Sequence, residues 1–142
     1  MTPREVIKRC VLGLSAGAER IFWFRLAAPA GDTSAYSRAG LLREDLSPRP
    51  AYTAYRTLAH LLQGSRSPRP LDLGSGIQAF EFIRPQGAVF VLWSEEKTTV
   101  RLPLRPGRIE IIDITGRGTV QDVPAELTLS PTPTFVRTEG RD

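Results

Sequence analysis

Few side chains in this chain are of types that do chemistry, and their settings matter more than their number. There is a single histidine, His60, and a single cysteine, Cys10. One of each cannot build the usual zinc sites, and no internal disulfide can form. Cys10 lies among apolar residues of a helical pattern, where a buried, inert thiol is expected. Glu95-Glu96 follows "VLWS" where a hairpin turn is expected, so a solvated turn is favoured over a working carboxylate pair. Asp113 precedes Thr115-Gly116 and reads as a turn residue. Asp32 and Asp45 read as solvated loop acids. "GLSAG", residues 13–17, mimics a nucleophile elbow, but it ends a helix rather than joining strand to helix. "LGSGIQ", residues 73–78, lacks the lysine of a P-loop and the full dinucleotide spacing. No catalytic residue, metal site or cofactor is assigned from these patterns.

The elements that would position these groups fall into two halves. Thr2-Pro3-Arg4-Glu5 is a capping box with proline at the first helical position. Val6, Ile7, Cys10, Val11 and Leu14 continue it as one apolar stripe, and Gly17 suits the C-terminal cap. Residues 19–26 read as a strand, apolar on both faces at its centre, as in a parallel sheet covered on both sides. Residues 27–40 form a long loop rich in Ala, Gly, Ser, Pro and Asp. A second helix is expected over residues 50–63. Its apolar face would be Tyr52, Tyr55, Leu58, Ala59 and Leu62, with Arg49, Thr53, Arg56, His60 and Gln63 opposite. His60 is thus a surface residue, and Gly64 closes the helix.

"SRSPRP", residues 65–70, is a linker signal. Beyond it the hydrophobic period changes to two. Strands are expected at 79–84, 88–93, 98–104, 108–114, 118–123, 125–129 and 134–137, with an edge strand near Leu71. Pro85-Gln86-Gly87, Arg105-Pro106-Gly107 and Gly116-Arg117-Gly118 punctuate them. This is the signature of an antiparallel sandwich. The fold class is therefore α+β: helix, strand and helix over residues 1–64, then a small antiparallel β-sandwich over residues 65–142. No internal repeat is present.

The 142 residues are 41% hydrophobic and 24% charged, a globular composition. The net charge of +4 comes from scattered arginines that form no basic run. A mildly basic solvated surface is favoured over nucleic-acid binding. No stretch is long enough to span a bilayer, and the N-terminus lacks a signal-peptide core. Neither observation assigns a compartment.

The order of elements, together with "VLGLSAGAERIFWFRL", "GLLREDLSPRPAYTAYRTLAHLL" and "AVFVLWSEEKTTVRLPL", resembles the end of a clan A (β/α)8-barrel glycoside hydrolase with a C-terminal β-sandwich, of the β-xylosidase and α-L-iduronidase kind. The resemblance implies that residues 2–16 are the seventh barrel helix, 19–26 the eighth strand and 50–63 the eighth helix. A barrel strand is covered inside and out, which would explain the bulk of residues 21–24. Retaining glycosidases use two carboxylates about 5 Å apart. The resemblance puts both on the fourth and seventh strands, before Met1, so this chain alone is expected to be non-catalytic. It also implies that Trp23 resembles the tryptophan forming a sugar platform in such sites, through an apolar indole face and an N–H donor. A plain core role for Trp23 stays open. Trp93 resembles a common sandwich-core aromatic and reads as packing.

Three functions follow. The chain is part of a carbohydrate-active enzyme, bracing a barrel and lining one wall of a sugar site. Or it is a carbohydrate-binding module, although Phe80, Phe82, Phe90, Trp93 and Phe135 are the β half's whole aromatic supply and several must fill the core. Or it is a self-associating interaction protein, because an unpaired strand with apolar faces recruits another chain. The expected partners are carbohydrate and either a second copy or a missing barrel portion, with no nucleic acid and no membrane.

Overall fold

A computed structural model describes residues 2–34, 36–123 and 126–139. Helix α1 (Pro3–Ser15) starts at the capping box read from the sequence. The Thr2 hydroxyl accepts from the Glu5 amide at 3.3 Å, and the Glu5 carboxylate accepts from the Thr2 amide at 2.8 Å. Two of the helix's free amino-terminal donors are thereby satisfied. Gly17 takes a left-handed φ of 106° and its amide donates to Leu14, which stops the helix. Val6, Ile7, Cys10 and Val11 are buried along one stripe.

Helix α2 (Pro50–Leu62) begins on proline with no side-chain cap. Its buried residues are Ala51, Ala54, Leu58 and Leu61. This corrects the expected face of Tyr52, Tyr55, Leu58, Ala59 and Leu62, of which only Leu58 is among them. Weighting the large residues misleads here. Small alanines occupy the buried line, while Tyr52 and Tyr55 pack half-buried on its flank and Ala59 is exposed.

The β half contains β1 (Arg69–Pro70), β2 (Ile77–Arg84), β3 (Gly87–Ser94), β4 (Thr98–Arg101), β5 (Gly107–Ile112), β6 (Gly118–Val123), β7 (Glu126–Leu129) and β8 (Thr134–Glu139). Each expected strand is present; β6 keeps its expected bounds and the others have shifted ends, the largest shift being β4, which stops at Arg101 rather than at 104. Ala125, the expected start of β7, lies outside the described residues. Six strands form one antiparallel sheet in the order β1-β2-β3-β8-β5-β6, and β4 pairs with β7 in a separate ribbon.

Alternation along the central strands builds two cores. Phe80 and Phe82 of β2, Val91 and Trp93 of β3, Ile112 of β5 and Phe135 of β8 face the helices, where they meet Ile7, Cys10, Val11, Ala54, Leu58 and Leu61. Ala79, Phe90, Leu92, Ile109 and Val136 face the other way, against Val100, Leu127 and Leu129 of the ribbon. Helices, six-stranded sheet and ribbon are thus three layers. The strand covered on both faces is β3, which is buried from Val89 to Ser94. The first core draws on residues both before and after the linker at 65–70.

The strand expected over residues 19–26 is not part of any ladder among the described residues. The run is extended and alternates, with Ile21, Trp23 and Arg25 turned towards the protein. Phe22, Phe24 and Leu26 are 87%, 64% and 58% exposed. The backbone hydrogen bonds that tie the run down come at its end. The Leu41 and Leu42 amides donate to the Arg25 and Leu26 carbonyls at 3.1 and 2.8 Å. Gly40 permits this approach, because a Cβ there would lie 3.2 Å from the Ala27 Cα. The run thus has one covered face, not two.

Candidate functional site

Trp23 sits where the extended run passes between α1 and the long loop. Its indole is half-buried and packs against the helical core, including the cluster of Val6, Leu41 and Ala51. Its Nε1–H donates to the Ala39 carbonyl at 3.3 Å. Trp23 lines a recess of about 480 Å³, with Arg9, Phe22, Phe24, Tyr36 and Arg38 around it. The expected candidate therefore borders a cavity, with its donor spent on the loop.

The more exposed aromatics of this recess lie next to Trp23. Phe24 and Tyr36 meet edge to face, with centroids 5.8 Å apart and planes at 86°. The Arg25 guanidinium lies 5.5 Å from the Phe24 centroid, within cation–π reach. Arg25 Nη2 also donates to Asp32 in an ion pair and contacts the Tyr36 carbonyl at 3.5 Å. Asp32 Oδ1 accepts from the Ser34 amide at 2.8 Å. Asp32 is thus a paired, half-buried acid and not the solvated loop residue expected. Arg25 Nε is buried without a hydrogen-bond partner among the described residues. This Phe24, Arg25 and Tyr36 grouping was missed in the sequence. The signal was there in the alternation of residues 21–26 and in a tyrosine set within a loop of small residues.

The remaining sequence candidates fall elsewhere. Glu95 pairs with Lys8 Nζ at 3.0 Å, and that ammonium lies 5.7 Å from the Trp93 centroid. Glu96 is exposed beside it. Trp93 is only 3% exposed and stacks on Phe80 at 5.6 Å, as a core aromatic does. Asp45 accepts from the Ser47 hydroxyl and amide, which hold its carboxyl below the ordinary value. Slight burial alone would raise the Asp113 carboxyl, but bonds from the Thr115 hydroxyl and amide and the Arg117 amide outweigh it and hold it low. Burial pushes the Cys10 thiol up to about 11, so it stays protonated and inert near neutrality. Ser15 of "GLSAG" ends α1, and Gly74 and Gly76 of "LGSGIQ" turn the chain into β2. His60 is exposed on α2. Among the described residues no three acids, histidines or cysteines are grouped to hold a metal ion. No described helix is long and apolar enough to cross a membrane.

No protein-family model matches the sequence, and no curated protein matches it. Among solved structures the fold is similar to that of a family 39 glycoside hydrolase from the gut symbiont Bacteroides cellulosilyticus WH2, with a TM-score of 0.73 and 24% sequence identity. The similarity covers 94% of this chain and 29% of that one. The chain thus spans about three-tenths of that protein's length. At this identity the match establishes the fold, an α+β arrangement of two helices on an antiparallel sheet.

Proposed function

We propose that this chain is the closing portion of a glycoside hydrolase-like, carbohydrate-active protein, non-catalytic by itself. In this reading residues 1–64 are the end of a (β/α)8 barrel, and residues 65–142 are the sandwich that braces it. The observation that carries the reading is the run at residues 19–26. It has the alternation of a strand, no ladder partner among the described residues, and an exposed row of Phe22, Phe24 and Leu26. Such a row is costly in water at about 25 cal/mol per Å² of apolar surface, so a neighbour that covers it is favoured. The similarity in fold to a family 39 glycoside hydrolase, over 94% of this chain, supports taking a barrel as that neighbour.

The recess at Trp23 would then be one wall of a sugar site. Its aromatic rings offer apolar faces to pyranose C–H groups, and its arginines offer donors to hydroxyls. Two results test the reading. The purified chain turns over no aryl glycoside. Mixed with a separately produced barrel portion of such an enzyme, it forms a stable complex. Turnover that co-purifies with the chain would overturn the first claim, and failure to bind any barrel portion would count against the second.

The exposed row also favours a second reading, in which the chain pairs with its own copy along residues 19–26. Light scattering separates the two. Self-pairing gives a mass that rises with concentration, and a constant monomer mass excludes it.

A further inference from the structure

A second recess, of about 390 Å³, lies between α2 and the six-stranded sheet. Its volume falls within the roughly 300–1,000 Å³ range of small-molecule sites. One helix, two strands and a turn build it. Arg56, Thr57 and His60 come from α2, Glu110 and Arg137 from β5 and β8, and Thr115 from the β5–β6 turn.

The turn is held close by Gly116, whose φ is 92°. A Cβ there would stand 3.3 Å from the Thr57 hydroxyl. Asp113 fixes the same turn, and its Oδ1 accepts from the Thr115 hydroxyl and the Thr115 and Arg117 amides. That carboxylate is thereby engaged in the turn.

The charge of the recess is unbalanced. Glu110 and Arg137 are directly opposite across the β5–β8 ladder and form an ion pair. Arg84 lies near enough to Arg137 for the two cations to repel, and its Nη1 donates to the carbonyl of Leu61 in the recess wall at 2.9 Å. Arg84 Nε is buried with no hydrogen-bond partner among the described residues. Arg56 makes no ion pair among the described residues. Two guanidiniums, of Arg56 and Arg137, thus line the recess with one carboxylate, and Arg84 reaches the Leu61 wall. Guanidinium groups of this kind bind oxyanions through paired N–H donors.

We infer that this recess binds an oxyanion, a phosphate, sulfate or carboxylate group carried by a small molecule or a sugar. The site is separate from the recess at Trp23, and the inference does not depend on the proposed function. The test is an amide-resolved NMR titration of the full chain at constant ionic strength, with inorganic phosphate, sulfate and glucuronate in separate arms. The arm that binds most tightly identifies the group. The expected result is saturable shifts centred on Thr57, His60, Thr115 and Gly116, with affinity falling at least fivefold in Arg56→Gln. Arg101→Gln, at an exposed pair with Glu126 on the ribbon, leaves the affinity unchanged. The spectrum of each variant shows directly that it is folded. Shifts that do not saturate in any arm, or equal affinity in Arg56→Gln, would overturn the inference.

Discussion

The indole N–H of Trp23 donates to the carbonyl of Ala39, 3.3 Å away and 16 residues later in the chain. Through this bond and the paired amides of Leu41 and Leu42, the extended run is fastened to the return of the long loop. One side of the run is thereby fixed against the helices, and Phe22, Phe24 and Leu26 are held outwards. The recess at Trp23 exists because of that fastening.

Replacing Trp23 with phenylalanine keeps an aromatic ring but removes the donor. The Ala39 carbonyl loses its partner, and the smaller ring leaves space against Val6 and Leu41. A loss of about 1–3 kcal/mol of stability is expected from these two effects together. Urea unfolding of the variant beside the parent measures it. An unchanged midpoint would show that the bond contributes nothing to stability.

Phe22→Asp combined with Phe24→Asp places charges on the exposed row. Neither side chain belongs to the buried clusters, so folding is expected to survive. Any concentration-dependent mass of the parent chain should fall to that of a monomer, and complex formation with a barrel portion should be lost. Sedimentation velocity reads both. Persistence of either assembly would place the contact somewhere other than the row.

Cys10 is expected to resist thiol reagents in the folded protein and to react fully in denaturant. Its raised folded-state pKa has a definite linkage sign. Below about pH 9 the thiol is neutral in both states, and its contribution to stability is fully present. As pH rises towards the folded value of about 11, the unfolded chain ionises first and that contribution is lost. Comparing the parent with Cys10→Ala between pH 8 and pH 10.5 isolates this effect from other titrating groups. The parent's stability should fall more steeply by an amount on the order of 1–2 kcal/mol. Parallel curves would contradict a buried thiol.

Asp113→Ala removes the acceptor at the centre of the β5–β6 turn. Its hydrogen bonds are solvent-exposed, so a cost of about 1 kcal/mol near neutral pH is expected. The folded carboxyl is held below its ordinary value of 3.8. Its contribution is therefore present above that value and lost as pH falls through the folded pKa. The difference between variant and parent should shrink at pH 2.5. Chemical denaturation at the two pH values gives the comparison, and a gap that widens in acid would reverse the assignment.

Much of the architecture was legible because it is written in local pattern. The Thr2–Glu5 capping box, the stripe from Val6 to Val11 and the change to period two after residue 70 depend only on neighbours along the chain. Trp93 as packing and Asp113 as a turn residue were legible for the same reason, since apolar alternation and Asx-turn spacing are short-range signals. The helix α2 face was misread because burial there follows where α1 and the sheet approach. That line runs through Ala51 and Ala54, which carry little hydrophobic signal.

The amino-acid sequence by itself determined which segments are helical and which extended, and where the turns fall, because capping and side-chain alternation act over a few residues. Only the tertiary structure decided that residues 19–26 present one apolar face to solvent, that Asp32 is paired with Arg25, and that Arg56 and Arg137 line one recess with Glu110. These outcomes depend on which surfaces meet across long stretches of chain. Alternation shows that a strand has two faces but carries no information about what covers each of them.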